Sequence, residues 1–402
     1  MKRYWFTTLL MLFIVACIGS YYVSAALKSY PDYRLVVESG DDKEADTVIL
    51  HGEAGIGSLE ITSKGSHYRA EESFFQSFAA SNRFIGDPDL LQLLKDHRNF
   101  MRGKQSTNGF YKDNQVLAYA EIRNGDLNAD GSRNFKLYIS AQDMEKKTNA
   151  SFELDVPAGK APYGWVYVTD VQLIGSELRV LTVNSEQIRE SSPFGYLQEI
   201  HSYAIDWTNQ RIVSDKILLQ DKKMDDGQVM QYSSLNAQQS SIAPQEVQAY
   251  RQTTSKMVKD QDGNEYMKSG TDAVITYNLK TGQMEAVPLL EADNVNSEHV
   301  YATEDAVIAL SQDGNNVRIK RYDLQSKAIT EFTVPGSVDS NNMVIKDRLY
   351  MYSLNGQNSR IVSVDLTKGK VVFTGSIDVN EQGAERAKLL KRLQVYSIYP
   401  AV

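Results

Sequence analysis

Oxygen-bearing side chains at alternate positions are the sharpest chemical signal in this sequence. The segment Asp126-Leu127-Asn128-Ala129-Asp130-Gly131 sets Asp126, Asn128 and Asp130 two residues apart, ahead of a glycine that permits a sharp turn, and Asn134 follows shortly after. Calcium takes oxygen ligands spaced in this way, so these four residues are the candidate metal ligands and calcium is the one cofactor they suggest. An EF-hand does not fit, because Leu137 stands where that loop needs a bidentate glutamate. The same residues also suit an ordinary hairpin turn. A second acidic turn, Asp260-Gln261-Asp262-Gly263-Asn264-Glu265, has fewer oxygens in register and reads as a plain hairpin.

Other chemistry is thinly represented. The histidines, His51, His67, His97, His201 and His299, are isolated from one another, so a transition-metal site needs convergence in the fold. The single cysteine, Cys17, lies in the N-terminal apolar run, which leaves the rest of the chain without disulfides or thiolate ligands. There is no Gly-x-Ser-x-Gly elbow and no phosphate-binding glycine loop, which removes support for serine-hydrolase and nucleotide chemistry. Glu121, Asp170 and Asp206 fall near expected strand ends, where a pair of carboxylates serves glycoside cleavage and where solvating acids are also common. The abundant tyrosines serve either as aromatic contacts for a sugar or peptide, or as packing on sheet faces, for which tyrosine is favoured.

The elements that must position these groups are mostly strands. The chain has 402 residues, 42% hydrophobic and 23% charged, with a net charge of −8. That composition is globular, and the acidic balance disfavours nucleic acid, whose phosphates require clustered Lys and Arg. Lys2 and Arg3 precede an uncharged run from Tyr4 to Leu27, long enough as a helix to cross the ~30 Å hydrocarbon core. The expectation is a membrane anchor or signal segment over 1–28 and an extracytoplasmic domain over 29–402, in a single-pass cell-membrane protein with its N-terminus cytoplasmic. Cleavage after Val23-Ser24-Ala25 and lipidation at Cys17 are the alternatives, and all three routes imply export.

From Ser58 onward short β-rich runs alternate with polar turns. Three copies of one step stand out: Tyr277-Asn278-Leu279-Lys280-Thr281-Gly282, Tyr322-Asp323-Leu324-Gln325-Ser326-Lys327 and Val364-Asp365-Leu366-Thr367-Lys368-Gly369. Their spacing of roughly 42–45 residues is that of four-stranded propeller blades. The expected fold is an all-β propeller of about five to seven four-stranded blades, with an N-terminal transmembrane helix, a helical segment near 71–101 and a polar insertion near 221–271. Tandem β-sandwich modules are the alternative. On these repeats the chain resembles the exported, membrane-anchored β-propellers of bacteria; the Gly-His and Trp-Asp signatures of the WD-repeat family are absent, so no functional residue carries over. The terminal run Leu393–Tyr399 has no hairpin partner and is expected to close the ring on Tyr33–Val37 or Val48–Leu50.

The functional expectation is a non-catalytic propeller that binds a ligand or protein, as a sensor or accessory subunit, with the membrane and a membrane protein or envelope ligand as partners. An envelope hydrolase or lyase acting on carbohydrate is the alternative.

Overall fold

The computed structural model describes residues 5, 9–16, 19, 30–55, 57–71, 88–127, 133–159, 162–187, 196–225, 227–235, 242–260, 265–289, 299–338, 341–355 and 358–401. Among these residues the strands form six antiparallel sheets that follow one another along the chain. After β1 (Tyr33–Gly40) and the short helix α1 (Asp42–Ala45), blade one holds β2 (Val48–Ala54), β3 (Ser58–Thr62) and β4 (Gly65–Tyr68). Blade two holds β5 (Phe110–Lys112), β6 (Val116–Leu127), β7 (Arg133–Asp143) and β8 (Asn149–Asp155). Blade three holds β9 (Tyr163–Ile174), β10 (Glu177–Gln187), β11 (Tyr196–Asp206) and β12 (Arg211–Gln220).

Blade four has five strands, β13 (Lys222–Lys223), β14 (Gln228–Ser234), β15 (Val247–Lys259), β16 (Glu265–Asn278) and β17 (Met284–Val287). Blade five holds β18 (Val300–Ala302), β19 (Ala306–Asp313), β20 (Asn316–Asp323) and β21 (Ile329–Pro335). Blade six holds β22 (Asn341–Ile345), β23 (Arg348–Asn355), β24 (Asn358–Asp365) and β25 (Lys370–Val379), and the chain ends in β26 (Leu393–Pro400). Both ends close on distant blades: β26 pairs with β2, and β1 adds a fifth strand to β25. Sequential meanders closed in this way have the topology of a β-propeller with six blades.

Burial along the sheets agrees with that assignment. In blade three the edge strand β9 is largely enclosed while the opposite edge, β12, is mostly exposed, and β18 and β21 differ in the same sense in blade five. One edge of each sheet therefore lies near a common centre and the other at the rim. Apolar clusters join blades two to three, three to four, four to five, five to six and six to one. On the remaining face of blade two, α2 (Pro88–Asp96) and α3 (Arg98–Met101) pack Leu90, Leu93 and Phe100 against Phe110, Leu117 and Tyr119.

The repeated turn has a single chemical basis. Asn278, Asp323 and Asp365 end β16, β20 and β24, the last strand but one of each blade, and each accepts backbone N–H groups two and three residues on at 2.8–3.2 Å. The residue four positions on is left-handed: Gly282 at φ 71°, Lys327 at 61° and Gly369 at 63°. Asp143 with Lys147 and Asp206 with Gln210 repeat the device in blades two and three, which extends the turn to five blades. An Asx side chain holds the turn and a left-handed residue reverses the strand.

Two expectations need correction. Among the described residues no helix is long and apolar enough to cross a membrane, so the expected transmembrane helix is not part of this fold. The segment 221–271, expected as a polar insertion, instead contains β13–β15 and the first half of β16. Its strands pair along Val247–Lys259 and Glu265–Asn278 while burying Gln248, Thr254 and Ser255, so the apolar alternation that marks a strand is missing from the sequence. Helices do occur in 71–101, as α2 and α3; residues 72–87 lie outside the described residues.

Candidate functional site: a buried histidine between two carboxylates

Blade three turns one sheet face toward blade two. Along β11 the residues Glu199, His201, Tyr203 and Ile205 share that face, because side chains on a strand alternate. Its lower half is apolar, with Val171, Leu178, Val180 and Ile205 in the seam with blade two. Its upper half is polar: Thr182, Asn184, Glu199 and His201 are all buried.

His201 is the centre of this polar half. Its Nδ1 lies 2.7 Å from Asp215 Oδ1 and its Nε2 lies 3.0 Å from Glu199 Oε2. The Tyr163 hydroxyl, from inner strand β9, donates to the same Glu199 oxygen at 3.1 Å and lies 3.4 Å from His201 Nε2. Gln220 Nε2 donates to the other Glu199 oxygen at 2.7 Å. The imidazole stacks on Tyr203, with ring centres 5.4 Å apart and planes 19° from parallel, and Asn184 Nδ2 donates to the Tyr203 hydroxyl at 2.8 Å. A neutral imidazole has one N–H and one lone pair, so it cannot donate to two carboxylates. The geometry therefore belongs to an imidazolium. Burial pulls the His201 pKa down, but the hydrogen bonds and charges of Asp215 and Glu199 outweigh it and leave the pKa raised.

With both nitrogens committed, His201 has no lone pair for general-base work on a substrate. Glu199, only 2% exposed, has both oxygens occupied. The arrangement holds a proton inside the sheet and ties β9, β11 and β12 together.

A second buried acid sits at the junction of blades three and four. Asp170 accepts from Val171 N at 2.8 Å, from Gln172 Nε2 at 3.1 Å and from Gln248 Nε2 at 2.6 Å. Burial pushes its pKa up to about 6 against these hydrogen bonds. Asp221 bridges the same two blades, accepting from Gln198 N and Tyr232 N, and burial also lifts its pKa to about 6.

No family model and no curated protein matches the chain. Solved structures resemble it only distantly. The protein lmo1340 of Listeria monocytogenes EGD-e aligns at 8% identity and a TM-score of 0.32, over 67% of each chain. The Dos1 propeller aligns at 11% identity and a TM-score of 0.28, over 66% of this chain and 71% of that one. The polysaccharide lyase Uly1 aligns at 6% identity and a TM-score of 0.33, over 67% of this chain and 57% of that one. Scores this low add nothing to the strand order, on which the fold assignment rests.

The residues singled out from sequence are dispersed. Asp126 lies near the end of β6 and Asn134, exposed, near the start of β7; Asn128 and Asp130 lie outside the described residues. Among the described residues no group of three His, Cys, Asp or Glu could hold a metal ion. Asp206 does end its strand, where it holds the turn at Asn209. Glu121 and Asp170 instead lie within β6 and β9, and they do not converge: Glu121 bonds Tyr119 and Arg123, while Asp170 faces blade four. Sequence reasoning missed the His201 cluster, although the two-residue spacing of Glu199 and His201 would put both on one face of any strand that carries them.

Proposed function

We propose that this protein is a non-catalytic binding propeller, a sensor or accessory subunit whose leader routes it out of the cytoplasm, with a ligand or protein of the cell envelope as its partner. The observation that carries the reading is an asymmetry among the blades. The β6–β7, β10–β11 and β15–β16 hairpins of blades two, three and four have strands of 11–14 residues, against eight in the corresponding β19–β20 and β23–β24 hairpins of blades five and six. Equivalent hairpins leave a propeller at the same end, so three neighbouring blades extend about 10–20 Å past the others at ~3.3 Å per residue. Projecting loops and hairpins on a rigid scaffold are where binding surfaces are built. The internal saturation of Glu199, His201 and Asp170 speaks against the carbohydrate-cleaving alternative, which needs open carboxylates.

The test shortens one projection. Replacing Lys256–Lys268 by Asn-Gly retains the Ser255–Ser269 pair and removes the outer part of the β15–β16 hairpin. The expected result is an unchanged melting temperature with loss of a stoichiometric envelope partner captured by crosslinking to the intact protein. Retention of that partner, or cleavage of envelope polysaccharide by the intact protein, would overturn the reading.

A further inference from the structure

The polar half of blade three's inner seam holds more than a structural ion pair, because its atoms support two hydrogen-bond arrangements that differ by one proton. We propose that blade three carries a proton-operated latch, in which protonated His201 holds the β9–β12 sheet shut where it faces blade two and neutral His201 releases it. This goes beyond the binding role above and does not depend on it.

The argument rests on donors and acceptors. As an imidazolium, His201 donates to Asp215 on rim strand β12 and to Glu199 on β11, and Tyr163 donates to Glu199 from β9. Loss of one proton leaves a single imidazole N–H. The shorter 2.7 Å contact keeps it on Nδ1, facing Asp215. The Nε2 lone pair then faces a carboxylate oxygen 3.0 Å away, which is repulsive. The Tyr163 hydroxyl, 3.4 Å from Nε2, is the donor placed to relieve this by turning from Glu199 to the ring. Glu199 would then keep only Gln220, as a buried carboxylate with no cation beside it, an arrangement that drives local opening.

Among the described residues the surroundings offer no substitute cation. Tyr203 faces the ring from β11, Thr182 and Asn184 from β10 are neutral, and Glu186 further along β10 is another acid. Lys216, beside Asp215 on β12, points away to the Tyr277 hydroxyl of blade four at 2.9 Å. Blade two contributes apolar Phe135, Leu137 and Ile139 to this seam. Among the described residues neither Glu199 nor Asp215 pairs with a lysine or arginine. Tyr163 packs on Phe135, so its hydroxyl couples the proton to blade two.

The experiment uses the full chain with 15N-labelled histidine, whose five residues keep the spectrum simple. His201 should carry protons on both nitrogens at pH 5.5 and lose one at a pH above the ordinary histidine value. Over the same pH step, amides of the β10–β11 and β11–β12 ladders should lose at least tenfold in exchange protection after correction for intrinsic rates, while the β19–β20 ladder of blade five does not. Tyr163→Phe should move both transitions to higher pH, since the neutral form loses its alternative donor; a packing role alone would not move them. His201→Gln should abolish the step in exchange. A neutral His201 at pH 5.5, an exchange profile in the intact protein without a step, or a step that persists in His201→Gln would each overturn the latch, and the first two need no variant to fold.

Discussion

Leu50 and Ile398 face one another across the β2–β26 ladder, so the inner strand of the first blade is supplied by the last residues of the chain. Both are buried in a cluster that also takes Tyr33 and Leu35 from β1 and Phe373 from blade six. Two closures meet there: the C-terminus completes blade one, and the N-terminus extends blade six.

Truncation after Arg392 should therefore act on the whole domain. It removes the buried side chains of Leu393, Val395 and Ile398, worth about 5–8 kcal/mol by transfer, which is comparable with the total stability of an ordinary domain. The truncated protein should lack a cooperative thermal transition or melt far below the intact one. A monomer with an unchanged melting temperature would show that β26 is dispensable for closure.

Stability should fall between pH 5 and pH 7.5. Asp170 and Asp221 have pKa values raised to about 6 by burial, so their contribution is complete below the unfolded value near 3.8 and is lost as pH rises through 6. Over pH 5–7.5 that amounts to about 1–2 kcal/mol per group. His201, also raised, loses its contribution over a higher window, as pH passes its folded pKa. Chemical denaturation at a series of pH values should show this slope, and Asp170→Asn should flatten it; equal stabilities at pH 5 and pH 7.5 would contradict it.

Gly369→Ala should cost clearly more than Gly282→Ala. Both positions are left-handed, which costs a side chain roughly 1 kcal/mol. At Gly369 a new Cβ would also lie 2.9 Å from Phe332 Cγ, whereas at Gly282 its nearest neighbour is Lys216 Nζ at 3.6 Å. Melting of the two purified variants compares them directly, and equal losses would mean that Phe332 moves aside freely.

The converse substitution tests the same turn. Gln210 occupies the equivalent left-handed position at φ 53°. Gln210→Gly should stabilise the protein, by up to about 1 kcal/mol. A lower denaturation midpoint for this variant would mean that the Gln210 side chain makes a contribution larger than its backbone strain.

Asp365→Ala should be the most damaging of the turn-acid substitutions. Asp365 is 1% exposed, accepts from the Thr367 and Lys368 backbone and the Thr367 hydroxyl, and pairs with Arg348. Removing it leaves those donors facing a buried gap, a loss of about 3 kcal/mol. Asp323→Ala, at a more exposed copy of the turn, should cost less; reversed ranking in urea denaturation would contradict the role assigned to burial.

By itself the sequence determined the local chemistry of this protein. The strands of blades five and six were legible almost residue by residue, because their apolar runs alternate and their turns carry Asp323 and Asp365, and the terminal strand announced itself by lacking a neighbour. Blade four was legible only at its Tyr277–Gly282 turn, because Gln248, Thr254 and Ser255 satisfy its interior with hydrogen-bonding groups in place of an apolar stripe. The His201 cluster was decided only by register. Thr208-Asn209-Gln210 is a polar turn sequence, and regular pairing outward from Asp206–Arg211 would set Asp215 opposite Ser202, on the face toward blade four. In the structure the pairing slips by one residue between Ala204–Ser214 and Ile205–Ile212, leaving Val213 unpaired and bringing Asp215 opposite Tyr203. A single-residue bulge moves the following side chains to the other face of the sheet, and that shift carries a carboxylate from the blade-four side to the Nδ1 of His201.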